Sequence, residues 1–283
     1  MKGIIDGKEL SAKIKEELKV KVADFTEKYG REITLAVVLV GENPASQVYV
    51  RNKIKAAETL GIKSLSFYLP ETASFEEVKK VIKGLANDDS VDGILVQLPL
   101  PKHIDEVKVL ELIPAEKDVD GFCKENVGNL LLGRECIVSC TPLGVIKMLE
   151  SIDFDLTGKN AVVIGRSNIV GKPMALLLLQ KNCTVTVCHS KTKNLKEICA
   201  NADVLIAAIG KPEFVTGDMV KQGAVVIDVG INRTENGLVG DVKFSDVEDK
   251  VSYISKVPGG VGPMTITMLM ENAYKCAVLR ENK

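Results

Sequence analysis

Apolar side chains along the chain alternate between two spacings. Over residues 8–29, Leu10, Ile14, Leu18, Val22 and Phe25 fall three to four apart, the period of one helix face, and Gly30 ends the run. Residues 35–40 are continuously apolar and short, as a parallel strand buried on both faces requires. The polar loop Gly41-Glu42-Asn43-Pro44 leads into a helix over 45–60, stopped by Gly61. Residues 64–69, 75–85 and 93–98 read as strand, helix and strand, with Pro99 and Pro101 ending the last, and a short helix follows near 105–112.

The alternation resumes in the second half. Thr141-Pro142 reads as N-cap and first residue of a helix to about 149. Strands are predicted over 161–164, 184–188, 204–208 and 224–229, helices over 173–181 and 194–200, and Thr265 is read as the cap of a last helix. Residues 121–139 carry no clear period and are read as a crossover. The pattern predicts an α/β fold of two αβα domains, the second a Rossmann-like parallel sheet, with a cleft between them. The expected boundaries are 1–138 and 139–263, with helix 264–283 packing back on the first domain.

Composition narrows the class. With 37 Lys+Arg against 38 Asp+Glu among 283 residues, the chain lacks the basic excess of an electrostatic nucleic-acid binder. The absence of Trp leaves little for base stacking. No apolar run reaches membrane-spanning length, and the first residues lack a secretion signal. Seven cysteines, an odd number and scattered, argue for a reducing compartment, and two histidines without a CxxC argue against a metal site. The expectation is a cytoplasmic protein with no nucleic-acid, membrane or metal partner.

Two stretches carry chemistry. Residues 161–171 run strand, glycine turn, helix, with Gly165, Arg166, Ser167 and Gly171 where a phosphate could be held, although Ser167 replaces the second glycine of the usual dinucleotide fingerprint. An ordinary βα turn fits the same residues. An NAD site expects an acid at the end of the next strand; here the strand ends in His189-Ser190-Lys191, which with Arg166 favours a 2′-phosphate and hence NADP. Lys191 and Lys193 also suit a solvated loop face. The loops at Gly210-Lys211-Pro212 and 228–232 should line the same crevice, and Pro258–Pro263 is a glycine loop shaped for a ligand or a turn.

In the first half, Tyr49 and Lys53 share a helix face, whereas Lys55 points away. Gln97 ends the third strand, and Asp118 and Asp120 follow the next helix. These four types could converge at one sheet edge, with a desolvated lysine as base. A surface Tyr–Lys pair, and two aspartates forming a turn before Gly121, fit the same spacing.

Taken in order, the motifs resemble those of the bifunctional methylenetetrahydrofolate dehydrogenase/methenyltetrahydrofolate cyclohydrolase family. They are residues 40–56, Gln97-Leu98-Pro99-Leu100-Pro101, Lys117-Asp118-Val119-Asp120-Gly121-Phe122, 165–173, His189-Ser190-Lys191-Thr192 and 258–265. The resemblance implies NADP-dependent oxidation of 5,10-methylenetetrahydrofolate and hydrolysis of the methenyl product to 10-formyltetrahydrofolate. It implies Lys53 as the main catalytic residue with Tyr49 beside it, Gln97 tuning Lys53, and Asp120 anchoring the pterin. Leu98, Gly259, Gly260 and Pro263 fall beside the folate, and Gly165, Arg166, Ser167, Ser190 and Ile231 fall on NADP. It further implies a homodimer. Cys123-Lys124-Glu125, Asn129 and Ser139 depart from the family's common residues. The competing readings are another Rossmann-type NADP dehydrogenase, of shikimate or amino-acid type, and a non-catalytic NADP-binding protein.

Overall fold

A computed structural model describes residues 3–235 and 237–282. In chain order its elements are β1 (Gly3–Ile5), α1 (Gly7–Tyr29), β2 (Thr34–Val40), α2 (Pro44–Thr59), β3 (Lys63–Leu69), α3 (Phe75–Ala86), β4 (Gly93–Val96), α4 (Glu106–Leu110), α5 (Lys124–Leu131) and α6 (Cys140–Glu150). Then come β5 (Asn160–Ile164), α7 (Gly171–Gln180), β6 (Thr184–Cys188), α8 (Leu195–Ala200), β7 (Val204–Ala207), β8 (Val225–Asp228), β9 (Asn232–Thr234), β10 (Gly237–Val239), α9 (Phe244–Val247), β11 (Tyr253–Ser255) and α10 (Val261–Glu281).

The chain divides into two compact units, each closed by chain from both ends. Lys13–Val138 with Ile266–Lys283 forms one. Its three-stranded parallel sheet runs β3-β2-β4, and every residue of the central β2 is buried, which is why residues 35–40 tolerate no polar side chain. α3 starts on a capping box between Ser74 and Glu77 and buries Val78, Ile82 and Leu85. Asp92, fully buried, accepts hydrogen bonds from Arg31 (2.8 and 2.9 Å), Arg280 (3.0 Å) and the Thr34 amide (2.9 Å). It thereby ties the segment after α1, the start of β2 and the last turn of α10 together. A buried carboxylate persists only with such partners.

Met1–Ala12 with Ser139–Thr265 forms the other unit. Its six-stranded parallel sheet has the order β1-β11-β8-β7-β5-β6. The short antiparallel pair β9–β10 lies outside that sheet. Residues 3–12, expected in the first domain, belong here instead, because β1 pairs with β11 as the sheet's edge. Two predicted caps are also corrected. α6 begins at Cys140 after Ser139, and Thr141 lies inside it, its hydroxyl 3.0 Å from that of Thr265. α10 begins four residues before Thr265, whose hydroxyl donates back to the Val261 carbonyl (3.1 Å). Within 121–139 the structure places α5.

Candidate active site

In the first unit the geometry starts at the carboxyl end of β2. Gly41 takes φ +88°, and the Asn43 side chain accepts from the Ala45 and Ser46 amides (3.0 and 3.2 Å), starting α2 at Pro44. Tyr49 and Lys53 follow one turn apart on this helix. Tyr49 is 40% exposed, Lys53 is half-buried, and Lys55 faces solvent.

Gln97 stands one residue beyond β4 and is buried. Its backbone amide donates to the Val38 carbonyl (2.9 Å), extending the sheet by one rung. Its side-chain nitrogen donates to the Leu98 carbonyl (2.6 Å), so its Oε1 is left to accept from Lys53 Nζ at 3.0 Å. That bond fixes the end of a long, rotamer-rich side chain at the carboxyl end of the sheet, where parallel α/β sheets bind ligands.

The two aspartates separate cleanly. Asp118 is buried and accepts from the Gly121 and Cys123 amides (3.0 and 2.8 Å) and from Asn126 Nδ2 (3.1 Å). It is a builder of the turn. Lys117 is also buried and donates to the carbonyls of Leu85, Ala86 and Asp88 at the end of α3; burial lowers its pKa. Asp118 bridges Ile94 in parallel register, which carries half-buried Asp120 toward the same end of β4 as Gln97. Asn272 holds this stretch from α10 by donating to the carbonyls of Val119 and Val138 (2.8 Å each). Asn126 and Asn272 went unread in the sequence, because a lone amide carries no periodic signal.

In the other unit, β5 lies between β6 and β7, the point where the strand order reverses and ligand crevices open. A cavity of about 310 Å³ lies there, lined by Gly165, Arg166, Ser167, Ser190, Lys211 and neighbouring apolar groups. Gly165 takes φ +139°, and a methyl on it would drive into the Ala208 carbonyl; one on Gly171 would drive into that of Gly165. These glycines let the β5 turn close against β7 and the start of α7. The Ser167 hydroxyl accepts from the Val170 and Gly171 amides (3.2 and 3.3 Å), and its carbonyl accepts from Lys172 (3.0 Å). The first amides of α7 thus already have partners within the loop.

The lining of this cavity suits the 2′-phosphate end of a dinucleotide. Arg166 and Lys211 supply positive charge and Ser190 a hydroxyl, and none of the described residues lining it is a carboxylate. Lys191 and Lys193 are exposed outside the lining, the solvated loop face that their spacing also allowed. A second cavity of about 190 Å³ in this unit gathers Ile231, Gly259, Gly260 and Pro263. Its glycine loop is braced by the N-terminal segment: the Lys8 amide donates to Gly259 (2.9 Å), and Lys256 Nζ to Asp6 (2.7 Å).

Residues 5–120 match the tetrahydrofolate dehydrogenase/cyclohydrolase catalytic domain, and residues 139–281 the NAD(P)-binding domain of the same family. The chain is 58% identical over 276 residues to the bifunctional protein FolD of Agathobacter rectalis, covering 97% of this chain and 99% of that one. The crystal structure of the bifunctional FolD enzyme of Campylobacter jejuni superposes with TM-score 0.97 at 55% identity, covering 99% of this chain and all of that one. The Trypanosoma brucei FolD, solved with NADP cofactor and an inhibitor, gives TM-score 0.95 at 37% identity over 100% of this chain and 99% of its own.

Proposed function

The chain belongs to the tetrahydrofolate dehydrogenase/cyclohydrolase family, and on that premise we propose how its residues divide two consecutive reactions. It oxidises 5,10-methylenetetrahydrofolate to the 5,10-methenyl form with NADP+, then hydrolyses the methenyl cation to 10-formyltetrahydrofolate. Bound NADP+ supplies the hydride acceptor. The protein's share is positioning, charge management and a proton acceptor.

Lys53 is that acceptor. An ammonium next to the reacting carbon would repel the positive charge that grows as hydride leaves, whereas an amine tolerates it. The bond to Gln97 Oε1 fixes the position of Nζ, where an amine would present its lone pair to water. Water oxygen bonds to the methenyl carbon, one of its protons passes to Nζ, and the bond from that carbon to N5 breaks as N5 takes up a proton. The net release is one proton. Tyr49, one turn away, flanks the substrate, Leu98 lines it, and Asp120 accepts the pterin's paired N–H groups. Gly165, Arg166, Ser167 and Ser190 hold the adenosine and phosphate end of NADP. Ile231 meets its other end, beside Gly259, Gly260 and Pro263 on the folate. The enzyme works in the cytoplasm as a homodimer, for which the seven free and buried thiols suit a reducing compartment.

The 3.0 Å bond between Lys53 and Gln97 is the observation that carries the assignment. Purified protein is mixed with 5,10-methylenetetrahydrofolate and NADP+, and the absorbances of NADPH and methenyltetrahydrofolate are followed together. NADPH should form without methenyl product accumulating. Stoichiometric accumulation would remove the hydrolytic role from Lys53, and a clear preference for NAD+ would remove the 2′-phosphate site.

A further inference from the structure

Two buried carboxylates at the cofactor-side cavities, one of them (Asp228) lining the smaller, take no part in the steps above. Asp241 is fully buried and accepts from the Ile209 and Gly210 amides at Oδ2 (2.7 and 2.9 Å). At Oδ1 it accepts from the Lys211 amide and from Asn232 Nδ2 (2.9 Å each). All the acceptor positions of a carboxylate are therefore used, a demand that an amide side chain with one oxygen cannot meet. Asp228, 4% exposed, accepts from the amides of Gly230 and Asp241 at Oδ1 and of Val242 at Oδ2 (2.9 Å each). Burial pushes its pKa up to about 6, against the pull of those three amides.

The backbone is shaped around this pair. A methyl on Gly230 would strike the Asp241 carboxylate, and one on Gly240 would strike that of Asp228. Isolated buried carboxylates are costly, so an apolar filling would hold the fold more cheaply. What the pair does hold is spacing. The amides bound by Asp241 belong to the loop after β7, whose Ile209 and Lys211 line the 310 Å³ cavity. Asn232 and Gly230, held by Asp241 and Asp228, flank Ile231, which lines the 190 Å³ cavity.

We propose that Asp241, acting through Asn232, is a positioning residue that sets the separation of the two cavities, so that one phosphorylated dinucleotide fills both. The proposal rests on the cofactor reading above. It predicts that loosening the strut weakens a ligand spanning both cavities and spares one confined to the first.

The test is calorimetric titration of the full chain with NADP+ and with adenosine 2′,5′-bisphosphate, which carries only the adenosine end. Asn232→Ala cuts the strut at a half-buried residue and leaves Asp241 in place. It should raise the Kd and KM for NADP+ about five-fold, the scale of one lost hydrogen bond, and move the bisphosphate Kd by less than about two-fold. The kcat at saturating NADP+ should hold. Asp241→Asn should have the larger effect on NADP+; if it fails to fold, Asn232→Ala decides alone. Equal weakening of both ligands would overturn the proposal, leaving Asp241 a builder of the first cavity only, and so would no change in either. A wild-type chain that binds neither ligand would remove the cofactor reading itself, and this proposal with it.

Discussion

The folate-side unit does its work with side chains and the cofactor-side unit with backbone. In the first, Lys53, Gln97 and Asp120 bring an amino group, an amide and a carboxylate to the carboxyl end of the sheet. In the second, the decisive features are the turn at Gly165, the close approach at Gly171, the glycines against the buried carboxylates, and the glycine loop at 258–263. Chemistry that moves protons needs particular functional groups. Binding a long, rigid-ended ligand needs a particular shape. Substitutions should therefore fail in opposite ways in the two units.

The largest effect is expected on the side-chain half. Lys53→Met keeps the volume of the side chain and removes the proposed base, so methenyl hydrolysis should fall about a thousand-fold. NADP+ affinity, measured by titration, should stay within about two-fold of wild type. A hydrolysis rate near wild type would break the contrast at its centre.

On the backbone half, Gly165→Ala adds only a methyl, yet that methyl meets the Ala208 carbonyl at a φ that side-chain-bearing residues avoid. It should cost about 2 kcal/mol in denaturant unfolding and weaken NADP+ binding about ten-fold or more. Methenyl hydrolysis assayed without cofactor should keep most of its rate. Loss of hydrolysis equal to the loss of NADP+ binding would show that the two halves are not separable in this way.

The smallest effect is expected from the thiols, which neither half uses. Burial pushes Cys123 and Cys199 up to about 12, and Cys276 is raised further by full burial. At pH 8, iodoacetamide should leave the native protein unlabelled by intact mass while the denatured chain takes up seven groups. Rapid native labelling would point to local opening in whichever unit holds the labelled cysteine.

The same contrast governs what the amino-acid order discloses. Residues 35–40, α2 and Thr184–Cys188 were readable because each carries its own period or cap. Lys53 and Gln97 were readable as candidates, but their bond depends on a sheet rung between Gln97 and Val38 that no local pattern encodes. Asp118 and Asp120 look alike in sequence. Burial, and the three donors that fix Asp118 in its turn, mark it as the turn-builder. α5 carries no readable period because Val127 and Leu131 face outward and Leu130 is its one buried apolar side chain, so the expected buried stripe is absent. Thr141 and Thr265 mimic caps yet bond to each other, a tertiary contact overriding a local preference.

The pairing of β1 with β11 has a consequence for biosynthesis. Gly3–Ile5 leaves the ribosome well before its partner Tyr253–Ser255, with most of both units between them. The six-stranded sheet cannot gain its outer strand until β11 has been made. Until then β11's place beside β8 is vacant and the nascent N-terminus has no lattice to join, so this edge forms through one of the longest loop closures the chain can make. Assembly of the cofactor-side unit thus waits on the synthesis of β11, and a chain released before Tyr253 would keep Lys53 and Gln97 in its sequence but lack the strand that holds β1 in the other sheet.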